Sequence, residues 1–198
     1  MNTIALLPHN EHLLPGGRLK LVISRICDMR MVTEAITHNQ PFALGMIAKK
    51  SSPKTVTNIP AIATTVSIVD FHTFHSGLLE IVVEGINKIS VSTLTMAHDK
   101  LLTATYKSRH NWPAIKINAE SQLLADKLNL LFISMPELNQ YYPRPSFQNA
   151  TWVCQRWLEI LPIDIKYKQS LIHYKTADMT INYLLQLLQY PYLINNLK

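Results

Sequence analysis

The sequence predicts an α+β protein in which a small closed or half-closed β-barrel with one early helix is followed by a C-terminal helical bundle. Three observations carry this. Runs rich in Val, Ile and Thr punctuate the first three fifths of the chain, as strands require. The last two fifths carry longer segments with apolar residues at helical spacing, a change of period that marks a change of structure. Between them lies the Asn111-Trp112-Pro113 breaker, so a β-rich unit is expected over 1–113 and a helical unit over 114–198.

TIALLP and RLKLVIS read as two short strands, and the glycines of Pro15-Gly16-Gly17 between them permit a turn that other residues avoid. A helix is expected from about Arg25 to His38, with Ile26, Met29, Val32 and Ile36 as its apolar stripe and Ser24 as a suitable N-cap. PFALGMIAKK is a strand running into a basic loop. In IPAIATTVSIVDF, Ile62, Thr64, Val66 and Ile68 share a strand face while their alternates are small. GLLEIVVEGINKISVSTLTM reads as a bent pair of strands, Gly85 marking the bend. LLTATYKS closes the β region. Five or more such strands favour a barrel, because closure removes exposed edges.

In the second unit Asn118 is placed to cap a helix aligning Leu124, Leu128 and Leu131, and YYPRPSF is a stiff linker. ATWVCQRWLEILP groups Val153, Trp157, Ile160 and Leu161 before Pro162 stops it. A short helix near Ile165 to Tyr174 precedes a last one from Thr176, whose face is Ile181, Leu184, Leu185 and Leu188.

The 198 residues are 47% hydrophobic and 16% charged, with five glycines, the profile of a globular chain. Cys27 and Cys154 are the only cysteines and fall in helical segments, so free, partly buried thiols in a reducing compartment are expected. Pro8 and Pro15 interrupt the N-terminus, which lacks a signal-peptide pattern, and no apolar run is of membrane-spanning length. Cytoplasmic residence is the expectation. The net charge of +6 invites a nucleic-acid partner, yet the basic residues are dispersed, with Lys49, Lys50 and Lys54 the tightest group.

No phosphate-binding GxxxxGK[ST] or GxGxxG, no GxSxG elbow and no HExxH, CxxC or EF-hand spacing occurs. His9 with His12, and His72 with His75, are spaced three apart, but both pairs read as exposed residues of turns with no further ligands to complete a zinc set. Glu80 and Glu84 share a strand face and could mimic an acid/base pair. The plainer reading makes Glu84 structural at the bend and Glu80 a solvated residue. Asp70, His72 and Ser76 are too close in sequence for a triad. DFHTFHSG is read instead as a surface turn in which Phe71 and Phe74 are partly exposed, to bind a partner or pack on the neighbouring unit. The candidate partner-binding surface is therefore Phe71, His72 and Phe74, with Lys49 and Lys50 of the basic loop; no cofactor, metal or catalytic residue is expected.

Several segments, taken in order, resemble the Lon N-terminal domain family. They are Ile4-Ala5-Leu6-Leu7-Pro8, Leu14-Pro15-Gly16, Leu19 to Ile23, and the helix around Asp28-Met29, followed by Phe42 to Ile47, Ile62 to Ile68 in place of the family's "IGTVAxI", and Val83-Glu84-Gly85 for its "VEG". Trp152 to Arg156 and Leu161-Pro162 are similar to the helical tail of short bacterial Lon-domain proteins. Departures fall at Ser24 and Ile26, where acidic and aromatic residues are usual, and at Ala63, in place of a glycine. The resemblance implies a PUA-like pseudobarrel followed by a helical bundle. It also implies a non-catalytic module that binds protein or peptide segments as an adaptor or regulator, without the ATPase and protease modules of full-length Lon. The alternative it leaves open is RNA binding, which PUA-like barrels often perform.

Overall fold

A computed structural model describes residues 2–46, 61–74 and 78–188, which form two compact units, Met1–His110 and Asn111–Lys198. The first carries strands β1 (Asn2–His9), β2 (Arg18–Ile23), β3 (Phe42–Met46), β4 (Ile62–Thr73), β5 (Leu79–Met96) and β6 (Leu102–Ser108), with helix α1 (Ile26–His38) between β2 and β3. The sheet order is β2-β5-β4-β3-β1-β6, and β6 returns to pair with β5. Five strands thus close a ring, with β2 added along the first half of β5, and the predicted barrel is present.

Small residues explain how the ring closes. Ala43, Ala63 and Ala104 are buried together with Leu6 and Ile89 in one cluster, so the strands can approach with little side-chain volume between them. The other faces of the same strands present Leu7, Leu44, Val66, Ile81 and Val83 to a larger cluster that α1 covers with Cys27, Met31 and Val32. The alternation expected for Ile62 to Ile68 sorts this strand between the two clusters, with Ala63 in the first and Val66 and Ile68 at the second.

β5 is not a pair of strands but one continuous strand of 18 residues. It bends without breaking because its register shifts against β4 at Ile86 and against β6 at Ser92, and a bulge turns the strand while pairing resumes beyond it. Gly85 has a further reason. A Cβ there would stand 2.3 Å from the Leu14 carbonyl oxygen, and the Gly85 backbone exchanges hydrogen bonds with Gly16 N (2.7 Å) and Gly17 O (2.9 Å). The Pro-Gly-Gly loop lies directly on this residue, with Gly16 at a φ of 70°.

The start of α1 departs from expectation. Arg25, not Ser24, holds the N-cap position, and it makes no side-chain cap bond. Its guanidinium instead grips Asp28 in the first turn through Nε (2.7 Å) and Nη2 (2.6 Å), where a carboxylate also complements the helix dipole. Ile26 is 87% exposed; at about 100° per residue it falls on the side of α1 opposite the face that Asp28, Met31 and Ala35 turn inward. Cys27 and Met31 take the place of Ile26 and Ile36 on the buried face.

The second unit contains α2 (Gln122–Ser134), α3 (Pro136–Gln140), α4 (Ala150–Ile160), α5 (Ile165–His173) and α6 (Asp178–Leu188). Asn118 caps the turn that leads into α2, its Oδ1 accepting Ser121 N (2.9 Å), and Phe132 replaces Leu131 on the buried face. α4 is central, contacting α2 and α6, with every residue from Ala150 to Leu158 buried. Asn149 caps it through Thr151 N. Both cysteines are free and buried, and burial pushes the Cys154 thiol up to about 12.

Candidate functional site

The end of α1 and the outer half of β4 frame a cleft of about 230 Å3. Asn39 stops the helix in the left-handed conformation, φ 50°, with Asn39 N donating to Ile36 O and Gln40 N to Ala35 O, the paired bonds of a Schellman ending. Pro41 then directs the chain into β3. This ending leaves Ile36 and Pro41 on one wall of the cleft, with Ile68, Val69 and Phe71 on the other.

Phe71 is there because of a bulge. β4 pairs Ile68 with Val83 and Asp70 with Val82, leaving Val69 as the extra residue. Regular alternation would put Ile68 and Phe71 on opposite faces. With the bulge, Phe71 instead comes opposite buried Ile81, on the face that α1 covers. It is 56% exposed, since β4 here has passed beyond the end of the core. Asp70 Oδ1 accepts the Phe71 N–H at 2.9 Å, fixing the backbone at that step.

Phe71 and His72 are not in a turn, as expected, but in β4 itself, which extends to Thr73 by pairing with Leu79 to Val82. That placement divides the expected surface. Phe71 lines the cleft, whereas His72, opposite Glu80, projects from the other face, where its ring meets Phe74 edge-on at 5.2 Å. Phe74 follows the strand and is 40% exposed. Lys49, Lys50 and His75 lie outside the described residues.

Glu80 and Glu84 are not poised for acid/base chemistry. Glu84 accepts from Arg18 Nη2 at 2.7 Å and Glu80 pairs with Lys20 Nζ at 2.9 Å, cross-strand ion pairs that tie β2 to β5. Of the first histidine pair, His12 is 7% exposed and not a loop residue facing solvent; its Nδ1 lies 2.9 Å from Met46 Sδ. Sequence reasoning missed that thioether because it is 34 positions away. The bulge at Val69, which decides where Phe71 points, leaves no residue-type signal at all. Among the described residues no three His, Cys, Asp or Glu side chains gather as a metal set, and no helix is long and apolar enough to cross a membrane.

The fold and sequence can be set beside known proteins. A Lon N-terminal domain protein from Xanthomonas campestris has a similar structure, with a TM-score of 0.73 at 20% identity, over 94% of this chain and 98% of that one. The N-terminal domain of a Mycobacterium avium complex Lon protease is similar with a TM-score of 0.61 at 10% identity, over 93% and 97% of the two chains. At such identities the likeness is one of fold. Among curated protein sequences none matches. The model of the ATP-dependent protease La (LON) substrate-binding domain, however, matches residues 3–190, nearly the whole chain, and this protein belongs to that family.

Proposed function

We propose that this chain is a non-catalytic module that holds unfolded or otherwise specific protein segments, as an adaptor or regulator, and that the cleft between α1 and β4 is where it grips them. The family supports a substrate-binding role. The observation that carries the choice of surface is Phe71, a large aromatic left 56% exposed on a bulged strand beside a cleft whose lining mixes Ile36, Ile68 and Val69 with Asn39, Gln40 and Asp70. An aromatic at the mouth of a cleft offers a bound segment a rigid anchor at low entropic cost. Ile36 and Val69, both partly exposed, extend the apolar surface on either side.

Fluorescence anisotropy with a library of labelled peptides, from apolar to strongly charged, tests this. Apolar and aromatic peptides should bind, and Phe71→Ala should weaken them. Binding that survives Phe71→Ala undiminished moves the site elsewhere, and affinity that collapses only with rising salt points to phosphate-like or acidic ligands instead.

A further inference from the structure

We propose that His9, His12 and Met46 form a binding site for a soft monovalent cation, with copper(I) as the natural occupant. β1 and β3 run parallel with Leu7 opposite Leu44 and His9 opposite Met46. Residues in register on adjacent strands project from the same face about 5 Å apart. Leu7 and Leu44 are in the core, so His9 and Met46 are the next pair outward on that face, both only partly buried and reachable by an ion. The chain turns after His9 and brings His12 back to Met46, its Nδ1 2.9 Å from the sulfur.

The donor set selects the ion. No three His, Cys, Asp or Glu side chains come together among the described residues, so zinc, magnesium and calcium lack the ligands they favour. Two imidazoles and a thioether suit a softer metal, and a closed-shell monovalent ion accepts three ligands. Metal–nitrogen and metal–sulfur bonds of about 2.0 and 2.3 Å require His12 and Met46 to part by less than about 1 Å, a movement within the freedom of a methionine side chain. His9 offers its Nδ1 lone pair, which now accepts the Glu11 N–H at 3.1 Å, an exposed bond that the metal would replace.

Titration of the whole chain with copper(I), kept reduced by ascorbate and competed by bicinchoninate, tests the site, with silver(I) as a redox-inert check. One equivalent should bind. Met46→Leu, a volume-conserving change that keeps the fold, should lower the affinity about tenfold or more, at least the scale on which outer-shell partners act. His12→Asn should do the same, and X-ray absorption of the copper-loaded parent should show nitrogen and sulfur neighbours. No competition with bicinchoninate overturns the proposal. Equal retention by Met46→Leu overturns it too, since capture by Cys27 or Cys154 would give that result.

Discussion

Phe132 and Phe71 are the same side chain in two settings. Phe132, on α2 of the helical unit, is 1% exposed and is enclosed by Tyr142, Phe147 and Trp152 at centroid distances of 5.3 to 6.0 Å. Phe71, at the far end of β4 in the barrel unit, is 56% exposed beside a cleft. The first ring is used up in packing, whereas the second keeps its apolar surface for something else. An aromatic residue therefore points to binding by what it leaves uncovered, and a count of aromatic residues along the chain would rank the helical unit first.

The largest expected effect comes from truncating the enclosed ring. Phe132→Ala should cost about 3–5 kcal/mol of stability, the range for deleting a buried aromatic, measured by denaturant unfolding. Peptide binding by the folded fraction should persist. Loss of peptide binding without loss of stability would reverse the assignment of the two rings.

The two units also treat their buried cations differently. Arg156 on α4 is 1% exposed and bonded to Glu159 through Nε (2.6 Å) and Nη2 (2.7 Å), with its guanidinium over the Trp152 ring. Lys88 on β5 is 2% exposed, and burial, reinforced by the nearby Arg109 charge, lowers its pKa to about 8. A lysine whose folded pKa lies below its unfolded value near 10.5 loses its proton on folding, so the unfolded chain binds more protons between those values and stability rises with pH there. The advantage of Lys88→Met over the parent should therefore shrink by about 3 kcal/mol between pH 7 and pH 10.5. A gap independent of pH would show that Lys88 titrates normally.

Gly85→Ala comes next. Its Cβ would collide with the Leu14 backbone at 2.3 Å, and backbone cannot turn aside as a flexible side chain can. A loss of about 1–3 kcal/mol is expected, the range for overpacking, with peptide binding again retained by the folded protein.

How far these differences could be read in the sequence depends on their range. Five of the six strands, the early helix and the helical unit follow from periodicity and from Pro and Gly, whereas β5 reads as two strands, and Gly85 stands out as the glycine at its centre. The reason for Gly85, the Leu14 carbonyl lying across it, is a long-range contact. Ile26 misled because the expected stripe was out of phase with the face that α1 buries, which runs through Cys27, Asp28, Met31 and Val32. Phe71 was legible as an exposed aromatic, but its separation from His72 was not. It depends on strand pairing through Thr73 and on the extra residue at Val69. His12 and Met46 meet only when β1 and β3 pair in parallel.

The smallest expected change in stability is the most informative about function. Phe71→Ala should shift unfolding by only about 1 kcal/mol, because less than half of this residue is enclosed. A segment that covers the exposed half of the ring would gain about 1–1.5 kcal/mol from it, so peptide affinity should fall about tenfold. Phe71→Asp should weaken apolar peptides further, since it replaces the aromatic with a second carboxylate beside Asp70 at the mouth of the cleft. Measured together with Phe132→Ala, the pair forms a double dissociation: one substitution moves stability and spares binding, the other moves binding and spares stability. Were Phe71→Ala instead to cost several kcal/mol, the ring would be a packing residue like Phe132, and the peptide site would have to be sought on a different face.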